Sequence, residues 1–353
     1  MNTIPLSPKD ITAEWLSTVL SKSYPGTKVT RVNILDAHYG TTGRAKLGLE
    51  YAQAGNQPDF MFAKFPPTDE QQKAFVIATG MGRREAMFYR DLSTNFPARV
   101  PACYYSDCNE SGDHYLMLLE DLEHSGCSFQ NATNQYSIDY VKRVLACFAS
   151  FHAMYWQSPQ FSARLAWVEP LQSHPIAVPL VSQALATYRN EMPPVFAEMA
   201  ELFIEKSETI HELWRSGIET LVHGDVHDGN LFADGDAPGF LDWALCARAS
   251  GMRDVAYFLA ATLNRDDRQQ SQHELLQYYR DQLELGGITP PSQEEMWQQY
   301  QWHAAYVWVG ATTTLAMGEA WQPISYTRKS LERINHALLD IDSVASISKA
   351  IAR

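Results

Sequence analysis

The spacing of apolar and polar residues divides the chain into a strand-rich first part and a helical remainder. In the first part, short apolar runs end at turn residues, which is typical of β-strands. Strands are predicted at 29–37, 45–51, 60–65 and 115–119. Between the last two, Met87, Phe88 and Leu92 share one face of a predicted helix at 83–92. Within 138–151, apolar residues recur every three or four positions, which predicts an amphipathic helix.

These patterns predict an α+β protein with two lobes. A small β-rich N-lobe is expected at 1–118, a hinge at 119–123 and a larger, mainly helical C-lobe at 124–353. One predicted hairpin interrupts the helical part, because residues 230–243 contain two short apolar segments around a turn rich in Asp and Gly. A chain of 353 residues is long enough to bury a core in each lobe.

Composition excludes several classes of partner. The formal charge of −13 argues against nucleic acid or an anionic membrane, because both attract basic surfaces. The five cysteines include no CxxC pair, which is typical of a protein in the reducing cytoplasm. No apolar run reaches the roughly 18 residues of a membrane span, and the first residues lack the order of a signal peptide. We therefore expect a cytoplasmic protein that does not cross a membrane.

The segments LVHGDVHDGN (221–230) and FLDW (240–243) point most directly to chemistry. Four residues separate Asp225 from Asn230, which is the spacing of a phosphotransferase catalytic loop. Asn230 begins one strand of the predicted hairpin and Asp242 ends the other, so both side chains can return to one metal ion. An amide and a carboxylate, with nucleotide phosphates, suit magnesium. The spacing therefore predicts phosphoryl transfer from a magnesium nucleotide.

Two other functions stay open at this point. His223, Asp225 and His227 alternate, so an extended segment would place them on one face, as zinc and iron sites often require. A metal-dependent hydrolase of this kind leaves Asn230 and Asp242 without a role. A non-catalytic nucleotide-binding sensor is the second alternative.

Two features of the first part are candidates for nucleotide binding. Lys64 ends a predicted strand and Glu85 lies in the following helix, and kinases use such a pair to hold the α- and β-phosphates. The turn between the first two strands offers backbone N–H groups and hydroxyls to phosphates, although an ordinary hairpin turn explains it equally well. Its candidate residues are Gly40, Thr41, Thr42 and Gly43.

The pattern HGDxHxxN at 223–230, with LDW at 241–243, resembles the aminoglycoside phosphotransferase family. That family adjoins the choline kinases and the ecdysteroid-kinase-like enzymes, and all have a protein-kinase-like fold. The resemblance covers most of the chain. It implies a two-lobed protein-kinase-like architecture with the nucleotide site in the N-lobe.

The resemblance also implies roles for individual residues. Asp225 would be the catalytic base, Asn230 and Asp242 the magnesium ligands, and Lys64 with Glu85 the phosphate-binding pair. In the hinge, backbone groups of Glu120 and Leu122 would receive the adenine. Asp254 would cap a helix rather than take part in catalysis.

The function implied is transfer of the γ-phosphoryl group of ATP or GTP, with Mg²⁺, to a hydroxyl of a small molecule. A protein substrate is not expected, because Gly224 replaces the Arg of protein kinases and the A-P-E motif is absent. The acceptor stays undetermined among aminoglycosides, choline-like amines, sugars and sterol-like alcohols. Aromatic residues near the C-terminus could line its pocket, but packing of the lobe core is the preferred interpretation. They are Trp297, Tyr300, Trp302, Tyr306, Trp308 and Trp321.

Overall fold

The computed structural model describes residues 4–40, 42–129, 136–170, 172–319 and 321–352. The chain forms two compact units, Met1–Phe129 with Phe232–Leu245 and Gln130–Leu231 with Cys246–Arg353. The first is rich in strands and the second is mainly helical, which confirms the predicted α+β organisation. The segment Phe232–Leu245, which holds most of the predicted hairpin within the expected C-lobe, groups with the strand-rich unit. The lobe boundaries at 118 and 124 stay a prediction.

The secondary structure elements are numbered in chain order. The strands are β1 (Val29–Tyr39), β2 (Gly43–Tyr51), β3 (Phe60–Phe65), β4 (Cys103–Cys108), β5 (Tyr115–Glu120), β6 (Ser128–Phe129), β7 (Glu219–Val222), β8 (Leu231–Asp234), β9 (Ala237–Phe240) and β10 (Ala247–Ser250). The helices are α1 (Ala13–Leu20), α2 (Glu70–Thr79), α3 (Met81–Asp91), α4 (Ile138–Met154), α5 (Ala177–Tyr188), α6 (Pro194–Arg215), α7 (Met252–Thr262), α8 (Arg265–Leu285), α9 (Gln293–Met317), α10 (Ile324–Asp340) and α11 (Ser343–Ile351). The four predicted strands correspond to β1, β2, β3 and β5, and the predicted helix at 83–92 corresponds to α3.

An antiparallel sheet in the order β1-β2-β3-β5-β4 forms the base of the strand-rich unit. Its side chains alternate between two faces, and one face forms a core with α1. Residues of this core include Leu16, Leu47, Met61, Ala63 and Leu118. Burial of each Leu or Met side chain contributes about 1.5–3 kcal/mol. Because Ala63 and Phe65 point into this core, Lys64 points to the opposite face of the sheet.

The junction between α2 and α3 determines where Glu85 lies. Asp69 begins α2 by accepting hydrogen bonds from the N–H groups of Gln71 and Gln72. The helix ends at Gly80, whose φ of 67° is a left-handed conformation that glycine adopts without strain. The chain then starts α3 at once, and Glu85 falls on the buried face of this second helix.

In the helical unit, α7 is the most buried support for the predicted catalytic loop. Ten of its eleven residues are buried, and Tyr257 is the exception. It packs mainly against α9, which begins with a capping box between Ser292 and Glu295. The short strands β7 and β10 pair in antiparallel register, with α4 packed against β7 and α6 against β10.

Two further expectations can be compared with the described residues. Tyr300 and Trp308 are fully buried, as the packing interpretation of the C-terminal aromatics predicts. The Trp308 ring N–H donates to Asn335 at 2.9 Å, so its polar atom is satisfied inside the core. Across the described part of the chain, no helix combines the length and apolar character needed to span a membrane.

Candidate active site

The predicted catalytic loop begins where β7 ends. His223 is completely buried, and Gly224 then adopts a φ of 85°. This left-handed conformation costs glycine little, whereas a side chain there would be strained. The turn at Gly224 leads to Asp225, whose side chain keeps 27% of its surface exposed. The glycine that distinguishes this loop from that of protein kinases is therefore required by the turn.

Asp254, at the start of α7, holds the backbone of this turn. Its carboxylate accepts hydrogen bonds from the N–H of His223 at 2.7 Å and of Gly224 at 2.8 Å. His152 lies 3.3 Å from the same carboxylate, and both side chains are inaccessible to solvent. Burial alone would raise the pKa of Asp254, but these partners outweigh it and keep the pKa below its usual value.

The expectation that Asp254 caps its own helix is wrong. Gly251 occupies the N-cap position of α7, and no side-chain capping hydrogen bond is present there. The carboxylate is directed to the loop instead, where the backbone of residues 223–224 supplies two donors. Its role is to anchor the loop that carries Asp225.

Two residues converge on the Asp225 carboxylate. Asn230 donates its amide N–H to Asp225 Oδ2 at 3.1 Å and to the Asp225 backbone oxygen at 2.9 Å. The Tyr257 hydroxyl donates to Asp225 Oδ1 at 2.8 Å. Sequence reasoning missed Tyr257, although it lies three positions after Asp254 on the same helix.

Asn230 has the chemistry expected of a magnesium ligand. It is 6% exposed, and its amide nitrogen is committed to Asp225, so its side-chain oxygen is the atom left to face a cation. A single amide oxygen and one carboxylate suit Mg²⁺, which takes few protein ligands and completes its shell with phosphates and water. The donor chemistry of Asn230 and Asp242 therefore fits this ion.

The alternative cluster of His223, Asp225 and His227 does not form. His223 Nδ1 lies 3.3 Å from the N–H of Asp225, and His227 Nδ1 accepts from the N–H of Gly229 at 3.0 Å. The Nδ1 atom of each histidine thus contacts a backbone N–H group of the loop. Within the described ranges, no three His, Cys, Asp or Glu side chains converge as a metal site.

In the strand-rich unit, Lys64 and Glu85 form the expected pair. The Lys64 amino group lies 2.6 Å from the Glu85 carboxylate, and the two residues are 5% and 1% exposed. Burial raises the pKa of Glu85 to about 7, although the nearby Lys64 acts in the opposite direction. A second carboxylate, Asp242, lies 3.5 Å from the same amino group. Lys64 therefore serves two acidic side chains.

Packing against α3 fixes the segment that carries Asp242. Asp242 itself has a φ of 61°, which is uncommon for a residue with a side chain. The ring of the next residue, Trp243, stacks on Phe88 with centroids 4.0 Å apart. Arg84 donates to the backbone oxygen of Ala244 at 2.7 Å. The helix that supplies Glu85 thus also holds the segment around Asp242.

The glycine turn is described only in part, because Thr41 lies outside the described residues. The N–H of Gly40 donates to the Thr42 oxygen at 3.3 Å, as in a hairpin turn. Gly43 is required for packing, since a Cβ there would lie 2.1 Å from the Phe65 ring. The phosphate-binding role of Gly40, Thr41, Thr42 and Gly43 stays a prediction.

The residue after the turn, Arg44, is a cation that sequence reasoning missed. Arg44 is opposite Lys64 in the register of β2 and β3, so the two side chains share one face of the sheet. Its charge lowers the pKa of Glu85 from a distance. The signal available in the sequence was the alternation of Arg44 and Lys46 with the apolar Ala45 and Leu47.

The predicted hinge residues are engaged within their own unit. The Glu120 carboxylate accepts hydrogen bonds of 2.6 and 2.9 Å from Arg99. The backbone N–H of Glu120 donates to the Ala102 oxygen at 2.8 Å. The Leu122 backbone oxygen accepts from the Cys127 N–H at 2.9 Å and retains a second lone pair. Adenine contacts by Glu120 and Leu122 stay a prediction.

A profile of the ecdysteroid kinase-like family matches residues 36–285, which is most of the chain. The chain belongs to the ecdysteroid kinase-like family. Membership in this kinase-like family agrees with the predicted enzyme class, a phosphotransferase that uses an alcohol group as acceptor. No curated protein sequence matches the chain.

Solved structures show the fold that this ecdysteroid kinase-like protein adopts. One is the GDP complex of wild-type aminoglycoside 2'-phosphotransferase-IIIa, at 13% identity and a TM-score of 0.52, with 92% of this chain and 99% of that chain covered. Another is choline kinase from Cryptosporidium parvum, at 11% identity and a TM-score of 0.52, with 96% and 98% covered. These likenesses concern the fold, and they confirm the predicted protein-kinase-like class.

Proposed function

We propose that this protein transfers the γ-phosphoryl group of ATP or GTP to a hydroxyl group of a small molecule. The observation that carries this proposal is the Asp225 carboxylate, which is fixed by Tyr257 and Asn230 and yet remains partly exposed. A base must be held in place and must be reachable by the hydroxyl it serves. Asp225 meets both requirements.

In the proposed reaction, the acceptor oxygen forms a bond to the γ-phosphorus. The bond from that phosphorus to the β–γ bridging oxygen breaks, and the nucleoside diphosphate leaves with the electron pair. Asp225 orients the hydroxyl and takes up its proton. The exposed part of its carboxylate is the surface available for this contact.

The charged face of the strand-rich unit would bind the triphosphate. Lys64 holds the α- and β-phosphates, and Glu85 keeps its amino group in place. Arg44 adds a second cation on the same face of the sheet. Glu120 and Leu122 lie at the hinge end of β5, where the base would be received.

Asn230 and Asp242 are the proposed magnesium ligands. Bound Mg²⁺ would neutralise charge on the phosphates during transfer. Asn230 supplies its side-chain oxygen, because its amide nitrogen already donates to Asp225. Asp242 supplies a carboxylate beside Lys64. Both are hard oxygen donors.

The test is an ATP-consumption screen of the purified full chain against amino sugars, choline analogues, simple sugars and sterols. Proteins that share the fold are named for aminoglycoside and choline substrates, which justifies the first two sets. For an accepted alcohol, Asp225→Ala should lower kcat by at least about 1,000-fold and leave the ATP dissociation constant within about threefold. Asp236→Ala, an exposed Asp in the β8–β9 turn, is the matched control.

Three results would contradict the proposal. Near-normal turnover by Asp225→Ala would exclude its role as base. Tight ATP binding with no transfer to any acceptor would favour the nucleotide sensor. Stoichiometric zinc or iron in the purified protein would favour the metal-dependent hydrolase.

A further inference from the structure

Helix α7 presents two polar side chains to the catalytic loop from one face. Asp254 and Tyr257 are three positions apart, so they lie on the same side of the helix. Asp254 binds the backbone of residues 223–224, and Tyr257 binds the side chain of Asp225. Because the other nine residues of α7 are buried, both polar groups are carried by a well-packed support.

We propose that Tyr257 is a positioning residue that holds the Asp225 carboxylate in the rotamer needed to orient the attacking hydroxyl. The inference rests on the proposed function, in which Asp225 is the base. Without the phenol, Asn230 would be the remaining side-chain donor to this carboxylate among the described residues, through Oδ2 and at the longer distance of 3.1 Å. The carboxylate could then turn about its Cβ–Cγ bond.

The neighbouring histidine does not replace this contact. His227 Nε2 lies 3.7 Å from Asp225 Oδ2, which is too long for a hydrogen bond. Oδ1 is the carboxylate oxygen that Tyr257 contacts, at 2.8 Å. The two oxygens are therefore held from different elements, Oδ1 from α7 and Oδ2 from the loop itself.

The hydrogen bond has a fixed direction. Burial raises the pKa of Tyr257 well above its usual value, and the negative charge of Asp225 adds to this effect. The phenol therefore keeps its proton and acts as a donor rather than as a proton relay. Orientation of a reacting group is sensitive to small displacements, so the loss of one such contact should appear in the rate of transfer.

The experiment uses MgATP with water as the phosphoryl acceptor, so it needs no knowledge of the natural alcohol. The full chain, Tyr257→Phe and the control Tyr300→Phe are compared in single-turnover hydrolysis. Tyr300 is another tyrosine of the helical unit; it is completely buried, and its hydroxyl contacts Gln272 at 3.4 Å. Calorimetry gives the MgATP dissociation constant, and thermal unfolding shows that each variant is folded.

Tyr257→Phe should slow hydrolysis about 10-fold and leave the MgATP dissociation constant within about twofold. Tyr300→Phe should keep both values within about twofold. In an Asp225→Asn background, Tyr257→Phe should cause almost no further loss, because the group it positions no longer acts as the base. A purely structural role predicts instead that the two losses multiply.

The outcomes separate this inference from the proposed function. A normal rate in Tyr257→Phe, an equal loss in Tyr300→Phe, or multiplied losses in the double variant would overturn the positioning role alone. Failure of the unmodified protein to bind or hydrolyse MgATP, or hydrolysis that does not require Asp225, would overturn the base assignment and the inference with it.

Discussion

In the strand-rich unit, Glu85 and Asp242 depend on a charged partner, Lys64, whereas in the helical unit Asp225 and Asp254 are held largely by neutral donors. Two carboxylates around one amino group leave an excess of negative charge, and burial of Glu85 makes that excess costly. Backbone N–H groups, an amide and a phenol fix the other two carboxylates by geometry. The first arrangement suits the proposed binding of cations and phosphates, and the second suits the proposed base, whose direction must be kept.

The largest expected effect is removal of the anchor in the helical unit. Asp254→Ala would leave the N–H groups of His223 and Gly224 buried without their acceptor. We expect a loss of about 3–5 kcal/mol in the free energy of unfolding, measured by urea denaturation, together with loss of phosphoryl transfer. Asp139→Ala, at an exposed position in the first turn of α4, should stay within about 0.5 kcal/mol. Equal stability of Asp254→Ala and Asp139→Ala would show that the loop does not depend on this carboxylate.

The charged arrangement of the strand-rich unit can be broken and then repaired. Lys64→Met leaves Glu85 buried without a cation and should cost about 3 kcal/mol of unfolding free energy. The double variant Lys64→Met with Glu85→Leu should regain most of this stability, because an apolar pair can replace a buried ion pair. Neither variant should regain affinity for MgATP, since both lack the amino group.

The control for that experiment is an exposed ion pair of the same length. Lys142 and Glu274 are also 2.6 Å apart, but on the surface. Lys142→Met should change neither unfolding nor MgATP affinity appreciably, because exposed pairs contribute little. If the repaired double variant bound MgATP as well as the unmodified protein, Lys64 would have a structural role only.

The contrast between the units also explains what the sequence could predict. Asp225 and Asn230 lie in one short motif, so their contact follows from local spacing. Lys64 and Glu85 could be paired because kinases pair a strand lysine with a helix glutamate, and the downstream motif indicates kinase chemistry. Tyr257 lies 32 positions from Asp225 and contacts it only because α7 packs beneath the loop. The family resemblance implies a helix that starts near Asp254, but it does not show which loop the polar side chains of that helix contact.

Other features escaped prediction for related reasons. The residues of β4 are all half-buried, so the strand lacks the alternation that marks a two-faced sheet. Only Val76 of α2 is buried, and the helix therefore has no apolar stripe. Gly43 fits a phosphate loop in the sequence, yet the nearby Phe65 ring explains why a glycine is needed there.

The smallest expected effect is a difference in how the two units respond to pH. Burial raises the pKa of Glu85 from an ordinary 4.5 to about 7, so the folded protein retains a proton that the unfolded chain releases between these values. Burial lowers the pKa of His303 from 6.5 to about 3, and Arg253 adds to this, so here the unfolded chain binds the extra proton. As pH rises from 5 to 6, proton release from Glu85 in the unfolded chain should lower the free energy of unfolding by about 1 kcal/mol. Over the same range, proton release from His303 in the unfolded chain should raise it by about 1 kcal/mol.

This opposition can be measured by urea unfolding of the unmodified protein, Glu85→Gln and His303→Gln across that pH range. Relative to the unmodified protein, Glu85→Gln should gain stability as pH rises, because it lacks the proton loss that penalises Glu85. His303→Gln should lose stability relative to the unmodified protein over the same range. It lacks the histidine whose proton, bound in the unfolded chain only, is released as pH rises. If the unfolding free energies of the two variants changed with pH in the same direction relative to the unmodified protein, Glu85 and His303 would respond to pH alike. The contrast drawn between the two units would then be wrong.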